Sequence, residues 1–332
     1  MAALEAADML SSAWMSAASL AALYGAFLWL LGRWLLPGLL VFLRDHGLTE
    51  LNYRSDPVPT AGGLLIWLLI LVHSAVEAAV AWLGLFNNAD VPMASPIPVP
   101  VPLSSPGSLT SSWCAVALLG FLDDTLGART KVKGIAGHYR LWKEQRRVST
   151  GLIKAGGILL AAIPVVCLLQ QARGNHSWLI GGIQVLLLGF MANGVNLLDL
   201  RPGRALKAFI ALLLLLCSWA FASWNSTAAG AGYGGLLPDM LPVVCGALAL
   251  LKPNLRGQVM LGDTGANLLG FAAGCWAIVL LGWPAQCALL ALLVLLHILT
   301  WRRSLSSIIE RNRVLQWLDQ WGRRGPENIE GA

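Results

Sequence analysis

The sequence predicts an all-α, polytopic integral membrane protein with about nine transmembrane helices. Three observations predict it. Of 332 residues, 57% are hydrophobic and only 12% charged, and the mean hydropathy is +0.67. A soluble domain carries about 25% charged residues, so this chain cannot solvate its surface as a soluble globule. Apolar runs of about 20 residues, the length that crosses a bilayer, recur along the chain. The basic residues fall in alternate connections between those runs. The same composition excludes disordered, collagenous and disulfide-rich secreted classes. A net charge of +6 would suggest nucleic acid in a soluble protein. Here the basic residues interleave with apolar runs, so they read as topology, and no nucleic-acid partner is expected.

The spans are read in order as 14–43, 61–86, 108–123, 151–169, 178–197, 205–224, 237–251, 263–283 and 285–302. The first is too long for one straight span, and Arg33 and Pro37 interrupt it, so its second half is expected to tilt or lie in the interface. Glu5 and Asp8 stand where a signal peptide would be basic, so no cleaved leader is expected. Residues 88–107 are rich in Pro and Ser and read as an exposed, extended connection. The connections after the first, third, fifth, seventh and ninth spans, with the span ends that flank them (Lys154, Lys207 and Arg302 among these), hold 21 of the 23 basic residues. Arg173 lies opposite and Arg33 within the first span. The positive-inside rule therefore puts the N-terminus outside and this basic face in the cytoplasm. Beyond Arg303, Leu305, Ile308, Ile309, Leu315, Leu318 and Trp321 recur at helical spacing against a polar face. This predicts one amphipathic helix on the membrane surface. The chain divides into a single transmembrane domain, 1–302, and a cytoplasmic amphipathic tail, 303–332. All six cysteines lie in apolar runs without metal-ligand spacing and read as packing residues. The tryptophans mostly flank spans, as interfacial anchors do.

Carboxylates at membrane depth are costly and mark function by default. Asp123 and Asp124 end the third span, Asp199 ends the fifth, and Asp263 opens the eighth. The topology puts all of them at the cytoplasmic ends of spans, where they can converge. Adjacent aspartates ionise together only beside a cation. A hard divalent ion such as Mg²⁺ takes a few carboxylates plus phosphate oxygens. One aspartate can also deprotonate or orient a nucleophile. Glycines beside Asp263 let backbone amides approach an anion at a helix N-terminus. Asn193 and Asn196 add neutral donors and acceptors. Such a pocket suits a substrate containing a pyrophosphate.

Four ordered segments carry a resemblance: Pro59-Thr60-Ala61-Gly62-Gly63; Phe121-Leu122-Asp123-Asp124 with Gly127; Asn193-Gly194-Val195-Asn196-Leu197-Leu198-Asp199; and Gly262-Asp263-Thr264-Gly265. With them the chain resembles the polyprenyl-phosphate N-acetylhexosamine-1-phosphate transferases. This is the superfamily of the phospho-N-acetylmuramoyl-pentapeptide translocase and of the N-acetylglucosamine-1-phosphate transferases of bacterial wall and antigen synthesis. The resemblance implies Mg²⁺-dependent transfer of a phospho-sugar from a UDP-sugar to undecaprenyl phosphate, with release of UMP, at the cytoplasmic face of a bacterial plasma membrane. It implies that Asp123 acts on the lipid phosphate as base or orienter, with Asp124 its partner. Asp263, with Asp124, would hold the metal. Asn193, Asn196 and Asp199 would line the nucleotide-sugar side, with Thr60 and Gly62 of the first segment. A homodimer is a further family expectation.

The sequence also departs from the family pattern. The third segment runs on as Asp199-Leu200-Arg201-Pro202-Gly203-Arg204, so Pro202 stands where the family has a second aspartate, and Arg201 and Arg204 are new. They are candidate substrate contacts. Ala266 replaces a serine, and a His-rich loop and a tenth span are missing. Arg302, Arg303, Arg311 and Arg313 stand in that loop's place, the first two as candidate substrate contacts, and arginine binds phosphate bidentately. Two other classes fit parts of the sequence: a non-catalytic relative that binds lipid phosphate or a wall-synthesis partner, and a transporter of a lipid-linked substrate. Against the transporter, the polar groups sit at span ends and no internal repeat is evident. His73 and Glu77, four apart, read as a polar pair facing another helix, and His297 as a packing histidine.

Overall fold

The computed structural model describes residues 2–52, 54–83, 108–127, 143, 149–172, 177–223, 236–302 and 304–323. Among them are nine long helices: α1 (Ala2–Asp45), α2 (Leu64–Trp82), α3 (Ser108–Leu126), α4 (Thr150–Ala172), α5 (Trp178–Leu198), α6 (Arg204–Ser223), α7 (Leu236–Leu255), α8 (Gly262–Leu280) and α9 (Trp283–Arg302). Seven are both long and apolar enough to cross a membrane. The other two, α3 and α7, carry acids inside them. They pack lengthwise on helices that do qualify, α3 against α4 and α8, and α7 against α1 and α2. The protein is an all-α, multi-pass membrane protein.

The helix at the centre is α8. Of its membrane-crossing stretch 89% is buried, against 6% for α9, which faces outward. Glycine and alanine occupy much of α8, so neighbouring backbones come close where lipid supplies no hydrophobic drive to pack. α5, α3 and α6 enclose it. Leu187, Leu188, Met191, Phe209, Phe271 and Ile278 are among the fully buried side chains of this core. Exposed tryptophans stand at span ends, including Trp82, Trp178, Trp283 and Trp301. That is where an amphipathic ring finds both apolar tails and polar headgroups.

Three features differ from the sequence reading. First, α1 continues through Pro37 without a break. The ring faces outward, and one missing N–H is a loss that a long membrane helix absorbs. Second, a two-stranded ribbon was not foreseen: β1 (Thr49–Leu51) pairs antiparallel with β2 (Pro57–Pro59). Asn52 Oδ1 turns the chain between them by accepting from the amides of Arg54 and Asp56 at 2.8 and 3.0 Å. Third, the tail is two helices rather than one, α10 (Leu305–Glu310) and α11 (Arg313–Gln320). Asn312 starts the second by accepting from the amides of Val314 and Leu315. The Pro/Ser-rich segment 88–107 and the basic stretch from Arg129 through Arg147, Lys143 excepted, lie outside the described residues.

Candidate active site

The site assembles around the first turn of α8. The ribbon delivers the segment 59–63 to it by backbone pairing. Met260 N donates to Pro59 O at 2.8 Å, Gly62 N to Met260 O at 2.9 Å, and Gly63 N to Leu261 O at 2.9 Å. Gly63 then starts α2 so close to α8 that a Cβ on it would stand 2.1 Å from Gly265 Cα. Gly262 has φ +69, a left-handed turn that glycine adopts without strain, and it directs the next amides outward.

Two carboxylates from other helices accept those amides. Asp124, near the C-terminal end of α3, takes Asp263 N on Oδ1 at 2.8 Å and Thr264 N on Oδ2 at 3.0 Å. The Thr264 hydroxyl donates to the same Oδ2 at 2.5 Å. Asp199, which caps the C-terminal end of α5, takes Gly262 N on Oδ2 at 3.1 Å. A helix N-terminus carries free N–H groups and a partial positive charge, so it favours these anions. Beside them, Lys154 Nζ on the first turns of α4 bridges Asp123 Oδ2 at 2.6 Å and Asp263 Oδ2 at 2.5 Å.

Four aspartates therefore gather at this turn, and one ammonium pairs with two of them, Asp123 and Asp263. Burial pushes the Asp199 carboxyl well above the usual carboxylate range, and the neighbouring charges of Asp124 and Asp263 push it further the same way. An excess of carboxylate at one point of a membrane protein is a donor set suited to a hard divalent cation. Asp199 also lines a small pocket beside the cluster with Asn52, Arg201, Pro202, Asn254 and Gly257.

No protein-family model matches the chain. A curated relative does: the phospho-N-acetylmuramoyl-pentapeptide-transferase of Syntrophus aciditrophicus is 29% identical over 277 residues, covering 75% of this chain and 68% of the relative. Over that stretch the chain is similar to this transferase.

The residues expected to serve this superfamily's chemistry are not all brought to one place. Asp123, Asp124, Asp199 and Asp263 converge, and Thr60, 3% exposed, and Gly62 lie in the segment paired to 260–261. Asn193 hydrogen-bonds His297 Nε2 across to α9 at 2.8 Å, and His297 Nδ1 lies 2.7 Å from Leu293 O. Asn196 lends its carbonyl to Asp199 N. Arg201 reaches Glu310 of α10 at 2.8 Å, in an exposed pair. Arg204 was expected at the substrate, but its guanidinium is buried in a bidentate pair with Asp319 of α11, at 2.8 and 3.0 Å. With its fork filled, it anchors the tail rather than offering a free cation. Arg302 ends α9 without a described side chain, and Arg303 lies outside the described residues.

Sequence reading missed three participants. Lys154 was counted only as a topology marker. Its signal was available, since it is a lysine inside an apolar run, and the cost of charge at membrane depth applies to cations as well. Thr264 was seen only as part of a segment. Asn254, 2% exposed, accepts from Gly203 N on Oδ1 and donates from Nδ2 to Val259 O, tying α7 to the start of α6. An isolated asparagine near a helix end carries no such signal in sequence.

Proposed function

We propose that this protein transfers a phospho-sugar from a UDP-sugar to a polyprenyl phosphate at the cytoplasmic face of a bacterial plasma membrane, with Mg²⁺, releasing UMP. The observation that carries the reading is the convergence of aspartates from three helices, with Lys154, on the first turn of α8.

Asp263 and Asp124 are the residues that would hold Mg²⁺, with Asp199 adjoining. Bound there, the ion would neutralise the pyrophosphate and the departing UMP. The rest falls to the chain. Asp124 and Asp199 fix the orientation of α8 by accepting its free amides. Lys154 pairs with Asp123 and holds it in place, so that its carboxylate can orient or deprotonate the attacking lipid phosphate. The pocket formed by Asn52, Arg201, Asn254 and Gly257 stands beside Asp199, where the nucleotide would enter. The enclosing helices hold the reacting groups in register, which supplies much of the rate in such transfers.

The test is direct. Purified protein with Mg²⁺, polyprenyl phosphate and a broad panel of UDP-sugars should yield a lipid-linked product and UMP in equal amounts. No product and no UMP across the panel would overturn the reading. A second reading, a non-catalytic relative that binds lipid phosphate, is favoured by one observation: Lys154 already bridges Asp123 and Asp263. It predicts saturable lipid-phosphate binding without turnover.

A further inference from the structure

A second cluster of ligand-type side chains lies elsewhere in the bundle, where α1, α2 and α7 meet. His73 of α2 is 4% exposed. Its Nε2 makes no hydrogen bond, yet it is aimed between two carboxylates. Glu77 Oε1, one turn on, stands 3.4 Å away, and Asp239 Oδ1 of α7 stands 3.5 Å away. One ligand atom from each of the three residues falls within 4.8 Å of the others. On the other side of the ring, Nδ1 lies 3.0 Å from the Tyr24 hydroxyl of α1.

These distances are informative. Hydrogen bonds from a ring N–H to oxygen run about 2.7–3.2 Å, so both contacts at Nε2 are too long. Donor atoms around a four-coordinate Zn²⁺, each about 2.1 Å from the ion, sit about 3.4 Å apart. The spacing is that of neighbouring ligands on a shared ion. Tyr24 supplies the customary outer partner: a proton on Nδ1 donated to its oxygen leaves the Nε2 lone pair facing the carboxylates. Charge argues the same way. Carboxylates in the apolar thickness are costly unless a cation meets them, and a divalent ion held between Glu77 and Asp239 would do so. The side chains of Glu77 and Asp239, 30% and 18% exposed, leave a way in that the His73 side chain at 5% does not.

We propose that His73, Glu77 and Asp239 form a divalent transition-metal site, joining α2 to α7 in the outer half of the membrane. It is separate from the aspartate cluster. His73 is ten residues beyond Gly63, about 15 Å along α2 from the turn that meets α8. Imidazole with carboxylate selects ions such as Zn²⁺ over Mg²⁺ and Ca²⁺. Three protein ligands leave a position open to water. The site binds α7 to α2 and requires no part of the transfer reaction.

The experiment uses full-length protein in lipid nanodiscs, stripped with chelator and reloaded with Zn²⁺ under excess Mg²⁺ to occupy the aspartate cluster. After desalting, elemental analysis should find one Zn²⁺ per chain. Zinc-edge X-ray absorption should show one imidazole with oxygen neighbours at about 2.0–2.2 Å. H73N and D239N should each lose the bound zinc and the rise in melting temperature that zinc gives the unsubstituted protein. Wild-type protein that retains no zinc, an absorption spectrum without an imidazole shell, or zinc retained in full by folded H73N and D239N would each overturn the proposal. The absorption measurement needs no variant, so it decides the matter even where a substitution prevents folding.

Discussion

Lys154 and its two aspartates show how one side chain sets the character of a site. An ammonium between Asp123 and Asp263 balances charges that burial would otherwise disfavour. Removing either carboxylate changes chemistry more than folding, because the ammonium keeps a partner. We therefore expect Asp123→Asn to lower product formation by about 10²–10⁴-fold. Asp263→Asn should abolish Mg²⁺-dependent turnover. Both variants should elute as folded protein with near-native melting temperatures. A fully active Asp263→Asn would remove Asp263 from the metal site. Arg204 shows the opposite case. An arginine that looks available for phosphate in sequence is closed by Asp319, and only the fold reveals the partner, 115 residues away.

At the scale of elements, two junctions decide whether the site forms. The first is the approach of α2 to α8 at Gly63. A methyl there meets backbone, which cannot swing aside as a side chain can. Gly63→Ala should cost about 1–3 kcal/mol and lower the melting temperature. Gly156→Ala on α4, where nothing lies within 4 Å, should leave it unchanged or slightly raised. Equal melting temperatures for the two variants would refute the close approach. The second junction is the docking of α11 on α6. Arg204 and Asp319 are 6% and 8% exposed, and Arg323 also reaches Asp319 at 2.6 Å. Lys207 Nζ donates to the carbonyls of Leu318, Asp319 and Trp321. Burial alone would raise the Asp319 carboxyl, but the hydrogen bonds and charge of Arg204, then of Arg323, outweigh it and hold the group below its usual range. A depressed carboxylate stabilises the fold above its unfolded pKa of about 3.9 and loses that contribution as pH falls further. Hydrogen exchange over 313–321 should accordingly stay slow at neutral pH and quicken below about pH 4. Asp319→Asn, which leaves Arg204 buried and half-paired, should quicken it at all pH values, at a cost of about 3–5 kcal/mol. Slow exchange in the variant would show that the tail docks by other contacts.

At the scale of the molecule, the alternation of basic connections predicts the orientation, and nine expected crossings would put the two termini on opposite sides. An N-terminal epitope tag should be reached by antibody in intact spheroplasts, and a C-terminal tag only after permeabilisation. Both tags on one side would contradict the topology and with it a cytoplasmic site. The bundle has polar meeting points at two depths. The aspartate cluster gathers at one end of the bundle, where α3, α4, α5 and α8 meet. The His73 cluster joins α1, α2 and α7 beyond it. Between them lies the apolar core around α8.

Apolar length and charge alternation are properties of chain segments, so the all-helical membrane fold, the order of the long helices and the end at which the acids gather were legible in the sequence of this protein. The bilayer enforces them one segment at a time, because every backbone polar group must be satisfied within its own helix. Which side chains meet is set by packing between segments far apart in the chain, and that only the tertiary structure decided. Asp124 and Asp199 as acceptors for α8, Lys154 as the bridge, Arg204 closed by Asp319, and Asp239 opposite His73 all follow from that packing. The ribbon at 49–59 went unseen for the same reason. Its three-residue strands carry no periodicity of their own and are held by pairing to each other and, through Pro59, to Met260.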